Sequence, residues 1–311
     1  MHSEKRNPAD PFAVVPGRCR VIPRPQQPLR FLGFLLVLAA ATLWRPGEAQ
    51  AQATPATAAD PNLDYPQQLV KVVRDGYEIS ALVTHRAGPQ PFRHAIVLFP
   101  GYPGILRLRE EEGQLRFDLR GNFLLRSRRH WLDDDILVAV VDAPSDEWAS
   151  FSQRWRETPR YGADVAALLD ELSSRYKVAD WTFVGTSEGA VSAFHAARMN
   201  PARIRRLIQT ASVFRASRNG PGLSGIDLAD LPAATLWVHH EDDPCAFTTY
   251  RDAKDFAARS GKPLLTMRGG GPGRGGACEP YTAHGFVGVE RETVRAMLAW
   301  VRSGALPADA R

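Results

Sequence analysis

The chain has 311 residues, of which 44% are hydrophobic and 23% are charged, a composition that excludes a disordered protein and allows a large buried core. Its net charge of +5 comes mostly from residues 1–51, because the rest of the chain keeps 32 basic and 31 acidic residues, a net charge of +1. A nearly neutral remainder gives no argument for nucleic-acid binding.

The first 51 residues have the organisation of a secretory signal peptide. An apolar run of 13 residues, 31–43, follows several arginines and precedes Ala49-Gln50-Ala51, a small-x-small cleavage site. We therefore expect cleavage near Ala51, a periplasmic or secreted protein, and membrane contact only transiently through this peptide. The run is too short to span a bilayer comfortably, so an uncleaved anchor is the lesser alternative.

The rest of the chain predicts a flexible lead-in followed by one α/β domain. Residues 52–64 are rich in Ala, Pro and Thr, and residues 65–311 form the domain. There, apolar runs alternate with helical stretches, which predicts an eight-stranded, mostly parallel sheet with helices on both faces. The first two strands are an antiparallel pair turned at Asp75-Gly76. The predicted strands are 69–73, 77–84, 95–100, 136–141, 181–185, 206–211, 234–238 and 263–267, and the predicted helices are 121–131, 159–175, 188–199, 249–260 and 288–302.

Residues 185–189 read Gly-Thr-Ser-Glu-Gly, directly after a predicted strand and directly before a predicted helix. The two glycines leave room for a sharp turn that lifts the hydroxyl of Ser187 away from the strand end. The helix that begins there points its free N–H groups at the same place. The same five-residue pattern also occurs by chance as an ordinary turn, so a catalytic role requires an acid and a histidine in the right order.

An acid and a histidine do follow, each on a loop after a later strand. Residues 239–243 read His-His-Glu-Asp-Asp, and the last strand is followed by a glycine-rich loop and His284. Asp243 and His284 are the preferred acid and base, with Asp242 as the alternative acid. The other histidines beyond residue 51 are weaker candidates for the base: His85, His94, His130, His195, His239 and His240.

The order Ser187, Asp243, His284 resembles that of the α/β-hydrolase family. The resemblance covers roughly residues 69–303, and it is greatest to uncharacterised secreted bacterial members whose strand ends read FPG, GTS and HHEDDPC. It implies the α/β-hydrolase fold with a small cap or none. It also implies a serine hydrolase in which Ser187 attacks a carbonyl carbon, His284 moves the proton, and Asp243 orients His284.

The resemblance further implies an oxyanion hole made of two backbone N–H groups. One comes from the loop after strand 95–100, at Tyr102, and the other from the residue after the nucleophile, Glu188. Many relatives have His-Gly where this chain has Pro100-Gly101, and residues 101–104 taken alone are typical of a tight turn.

Cys245 and Cys278 are the two cysteines that remain after cleavage. In the α/β-hydrolase fold the loops that carry them face each other across the active site. We therefore expect a disulfide that ties the loop of Asp243 to the loop of His284, with two free thiols as the alternative.

Two segments, 143–160 and 213–231, could shape the substrate pocket. The aromatic residues Trp148, Phe151 and Trp155 either line an acyl pocket or pack a short helix onto the core. The arginines between residues 107 and 129 alternate with acidic residues and predict a solvated, ion-paired surface. Arg107 and Arg109 are the members of this group that could meet a substrate.

The main functional hypothesis is an esterase that acts on small or medium carboxylic esters, with a small-molecule substrate and no nucleic-acid partner. A peptidase or amidase using the same three residues is one alternative, and a non-catalytic envelope binding protein on this scaffold is another. Residues 239–245 include the residue types of a metal site, but consecutive strand residues point in opposite directions. No metal and no cofactor are predicted, and the sequence leaves the oligomeric state open.

Overall fold

The computed structural model describes residues 62–88 and 92–306. The predicted signal peptide, and with it the alternative of an uncleaved anchor, lies outside these residues, as does most of the predicted lead-in. Its last three residues, 62–64, form a turn in which Asn62 is buried and accepts a hydrogen bond from the Arg129 amide. Within the described residues, no helix is both long enough and apolar enough to cross a membrane.

The described residues form an eight-stranded sheet, a small separate hairpin and six α-helices. The strands are β1 (Gln67–Arg74), β2 (Tyr77–His85), β3 (His94–Phe99), β4 (Arg109–Glu111), β5 (Gln114–Arg116), β6 (Ile136–Val141), β7 (Asp180–Thr186), β8 (Ile204–Thr210), β9 (Ala234–His240) and β10 (Leu264–Met267). The helices are α1 (Phe123–Arg126), α2 (Gln153–Arg156), α3 (Pro159–Tyr176), α4 (Gly189–Met199), α5 (Tyr250–Ser260) and α6 (Glu290–Ser303).

The large sheet has the strand order β1-β2-β6-β3-β7-β8-β9-β10. β1 and β2 are antiparallel, β2 is antiparallel to β6, and all the other neighbours are parallel. The predicted eight-stranded, mostly parallel sheet is therefore confirmed, including its antiparallel opening pair. Parallel strands place their carboxyl ends at one edge, and the loops at that edge are where ligands bind in such sheets.

Two hydrophobic clusters cover the two faces of the sheet. On one face α3, α4 and α5 pack around residues such as Phe183 and Leu207. On the other face α1 and α6 pack around residues such as Val184 and Ile208. Neighbouring residues of β7 and β8 thus point to opposite clusters, which is why consecutive positions in the middle of these strands are apolar, as at Phe183-Val184 and Leu207-Ile208.

The structure departs from the predicted elements between residues 109 and 131. The charged segment 109–116 forms the β4–β5 hairpin, whose turn places Glu112 and Gly113 at φ 52° and 72°. The predicted helix 121–131 is two short pieces, α1 and a 3₁₀ turn, Arg128–Trp131. The Ser127 hydroxyl donates to the Phe123 carbonyl at 2.6 Å, and the Ser127 amide closes the last turn of α1.

The arginines of this region have local partners. Arg107 pairs with Asp118 at 3.0 Å, and Arg109 pairs with Glu111 at 2.6 Å. Both arginines therefore belong to the ion-paired surface that the charge pattern predicts, and the residues that line the cavity described below are others.

Candidate active site

Ser187 lies in a strained turn at the carboxyl end of β7. Its φ is +53°, in the left-handed region that non-glycine residues rarely occupy. The Ser187 amide donates to the Thr210 carbonyl of β8 at 3.0 Å, and the Ser187 carbonyl accepts from the Ala190 amide of α4 at 3.1 Å. The turn is therefore held from both sides, and it presents a half-buried hydroxyl at the sheet edge.

Close backbone packing explains the glycine that begins α4. A Cβ atom added at Gly189 would lie 2.0 Å from the Phe99 carbonyl oxygen of β3. Only a residue without a side chain lets the helix approach the strand this closely. The sequence pattern around Ser187 thus has a physical basis in the contact between α4 and β3.

His284 lies in a short 3₁₀ turn, Ala283–Gly285, and its side chain contacts Asp243. The His284 Nδ1 atom is 3.0 Å from Asp243 Oδ2. Asp242, the alternative acid, is exposed, and its amide donates to the His240 ring. The structure therefore places Asp243, and not Asp242, against His284.

Asp243 accepts hydrogen bonds from several directions. Its Oδ1 atom accepts from the Cys245 amide at 2.9 Å, and its Oδ2 atom accepts from the Thr248 hydroxyl at 2.9 Å. The His239 Nε2 atom is 3.2 Å from the same Oδ2 atom. Thr248 is fully buried, and sequence reasoning gave it no role because nothing in the spacing marks a hydroxyl five residues after the acid.

These contacts set the ionisation of Asp243. Burial alone would raise the pKa of this carboxyl, but the hydrogen bonds from His239 and His284 outweigh it and bring the pKa below its ordinary value. Asp243 is therefore ionised at neutral pH and holds the Nδ1 proton of His284. The Nε2 atom of His284 is then the atom that can accept a proton.

Ser187 and His284 line one cavity of about 690 Å³, a size typical of small-molecule sites. One part of its wall is apolar and includes Leu119, Phe123, Val213 and Phe247. The cavity also has polar lining residues, among them Gln153, Ser217, Arg218, Asn219 and Glu279.

The two residues predicted to form the oxyanion hole also line this cavity. Their backbone N–H groups, at Tyr102 and Glu188, donate no hydrogen bond to any described residue. Gly101 brings the first of them close to the nucleophile, since a Cβ atom at Gly101 would lie 3.1 Å from Ser187 Cβ. Within the described residues, both amides are thus unused donors in residues that line the cavity.

Cys245 and Cys278 form the disulfide expected from the sequence. It closes a segment of 33 residues, and both cysteines line the cavity. The bridge joins the residue whose amide bonds Asp243 to the loop that leads into His284. The acid loop and the histidine loop are therefore linked covalently at the cavity wall.

Apart from the start of α3 at Pro159, the described segments 143–160 and 213–231 form only helical turns of three or four residues. Phe151 and Trp155 pack against each other and against Tyr161, with ring centroids 5.4 to 5.9 Å apart. Gln153, which lies in the segment 143–160, lines the cavity, and its Oε1 atom accepts a hydrogen bond from the Gly222 amide at 2.8 Å. Phe151 and Trp155 therefore pack a short helix, and the polar Gln153 faces the site.

Several solved structures are similar to this chain. Est1E from Butyrivibrio proteoclasticus is 14% identical, with a TM-score of 0.51 over 76% of this chain and 99% of Est1E. A predicted CIB-like hydrolase from Thermoplasma acidophilum is 15% identical, with a TM-score of 0.50 over 76% of this chain and 99% of its own. A dienelactone hydrolase from Anabaena variabilis is 13% identical, with a TM-score of 0.50 over 78% of this chain and 99% of its own.

No family model matches the sequence, and no curated protein matches it either. At 13 to 15% identity, the likeness to the solved structures shows a shared fold.

Proposed function

We propose that this chain, which has the α/β-hydrolase fold predicted from its sequence, is a secreted serine hydrolase that cleaves carboxylic esters. One observation carries the proposal: Ser187, at a strained turn, and His284, bonded to Asp243, line the same cavity. A serine hydroxyl is a poor nucleophile until a base takes its proton, and His284 is the base that this cavity offers.

The reaction follows from the positions of these groups. The Ser187 oxygen attacks the ester carbonyl carbon while His284 Nε2 takes the hydroxyl proton, and Asp243 stabilises the imidazolium. The negative oxygen of the tetrahedral intermediate is bound by the amides of Tyr102 and Glu188. His284 returns the proton to the departing alkoxide, which leaves an acyl-enzyme. Water, deprotonated by His284, then releases the acid and restores Ser187.

The cavity favours small or medium esters. A volume of about 690 Å³ accommodates an acyl chain and a leaving group, and its apolar wall, with Phe123 and Phe247, suits the apolar part of an ester. The polar residues, such as Asn219, suit its oxygen atoms.

A location in the periplasm or outside the cell is part of the proposal. The disulfide between Cys245 and Cys278 supports it, because disulfides persist in oxidising compartments and are rare in the cytosol. The signal peptide predicted over residues 1–51 supports it from the sequence.

The test is a panel of p-nitrophenyl acetate, butyrate and octanoate beside p-nitroanilides of the same acids. We expect turnover of the esters by the wild type, little turnover of the anilides, and none of either by Ser187→Ala. Ser303→Ala is the matched control, because this serine lies at the exposed end of α6, and it should keep wild-type rates. Faster turnover of the anilides than of the esters would indicate an amidase and not an esterase. No turnover of either series would favour a binding protein.

A further inference from the structure

A fully buried arginine lies beside the candidate oxyanion hole. Arg156, the last residue of α2, is 0% exposed, and its guanidinium stacks on the Phe151 ring at 4.1 Å. Its Nη1 atom donates to Glu188 Oε1 at 2.9 Å, and its Nη2 atom donates to the Pro103 carbonyl at 2.9 Å. One guanidinium therefore holds two segments that are distant in the sequence.

Those two segments carry the two proposed oxyanion donors. Pro103 directly follows Tyr102, and Glu188 directly follows Ser187. Because Arg156 bonds both segments through one rigid, planar group, it fixes the distance between the two backbone amides. Oxyanion stabilisation depends on that distance, since donors act only when they are already in place as the charge develops.

Charge gives Arg156 a second effect at the same place. The Glu188 side chain is 5% exposed, and its other oxygen accepts from Asn219 Nδ2 at 3.2 Å. Without Arg156, this carboxylate would be a buried negative charge next to the place where the substrate oxygen becomes negative. Such a charge is weakly screened and would oppose the transition state.

We propose that Arg156 is a positioning residue of this esterase, which sets the oxyanion hole by bonding Pro103 and neutralising Glu188. The inference rests on the proposed function. Arg156 is fully buried and does not line the cavity, so it acts on the reaction through the Tyr102 and Glu188 segments and not by touching the substrate. It should therefore affect binding of the transition state more than binding of the ester.

The test compares Arg156→Met, Arg156→Lys and the double variant Arg156→Met/Glu188→Gln with the wild type on p-nitrophenyl butyrate. We expect Arg156→Met to lower kcat by about tenfold to a hundredfold, in the range of a weakened oxyanion donor, with KM nearly unchanged. The inhibition constant of phenylboronic acid, which forms a tetrahedral adduct with the serine, should rise by the same factor. Arg156→Lys keeps the positive charge but lacks the two guanidinium nitrogens that bond Glu188 and Pro103, so it should recover only part of kcat.

The double variant removes the isolated carboxylate and should be faster than Arg156→Met alone. If Arg156→Met does not fold, the double variant still tests the proposal. The matched control is Arg206→Met, which removes a partly buried ion pair to Asp180, 2.8 Å long, at the opposite edge of the sheet. It should lower the melting temperature and leave kcat and KM as they are.

Two results separate the possible failures. If the wild type hydrolyses the ester but Arg156→Met and Arg156→Lys keep its kcat and its boronate affinity, the positioning role is wrong and the esterase stands. If the wild type has neither ester turnover nor boronate affinity, the proposed function falls, and the role of Arg156 falls with it.

Discussion

Removing the disulfide should lower the free energy of unfolding more than removing any single surface contact does. In Cys245→Ser/Cys278→Ser the closed segment of 33 residues becomes free in the unfolded chain. The loop-closure entropy of a segment of this length corresponds to about 3–4 kcal/mol of the free energy of unfolding. In a domain of this size the same change lowers the melting temperature by about 10 °C.

The assay is urea denaturation monitored by tryptophan fluorescence. It is performed on the double serine variant and on the wild type, each with and without reductant. Reduced wild type should unfold at the urea concentration of the variant, and reductant should leave the variant unchanged. A difference of less than about 1 kcal/mol in the free energy of unfolding between variant and wild type would refute the reasoning. The bridge would then not stabilise the fold by restricting the unfolded chain.

Three further predictions concern the acid and a buried carboxyl. Thr248→Val removes one donor to the buried Asp243 carboxylate, so kcat in a p-nitrophenyl ester assay should fall about tenfold. In the same assay Asp243→Asn should lower kcat by about three to four orders of magnitude, while Asp242→Asn, at an exposed site, should keep it. Burial raises the pKa of Asp142 to about 6, despite hydrogen bonds from the Leu106 and Leu108 amides. Folded Asp142 thus holds its proton more tightly than unfolded Asp142, and stability falls as pH rises from about 4 to 6, by about 3 kcal/mol. Asp142→Asn should remove this part of the slope in urea titrations across that range, and an unchanged slope would contradict it.

The positions of the strands and the turn at Ser187 were predictable because each leaves a local pattern in the sequence. Strands buried on both faces contain continuous apolar runs, as in β6 and in residues 95–99 of β3. The glycine at 189 marks a close approach that any side chain would block. Such signals depend only on neighbouring residues, so one sequence is enough to read them.

Contacts between distant residues left no such pattern. Arg156 and Glu188 are 32 residues apart, and each, taken alone, is typical of a solvated surface. The β4–β5 hairpin was missed for a related reason, because the charges of 109–116 hide the alternation of a strand. These features depend on how the sheet brings segments together, and the three-dimensional structure was needed to find them.

The most direct test of the central claim is covalent labelling of the protein produced from residue 52 onward, with a fluorophosphonate probe. The probe reacts only with an activated serine, and mass spectrometry of the digested product locates the phosphonate. We predict one label, on Ser187, that is lost in Ser187→Ala and strongly reduced in His284→Asn. A folded wild type that stays unlabelled, or a label on another serine, would contradict the assignment of Ser187 as the nucleophile.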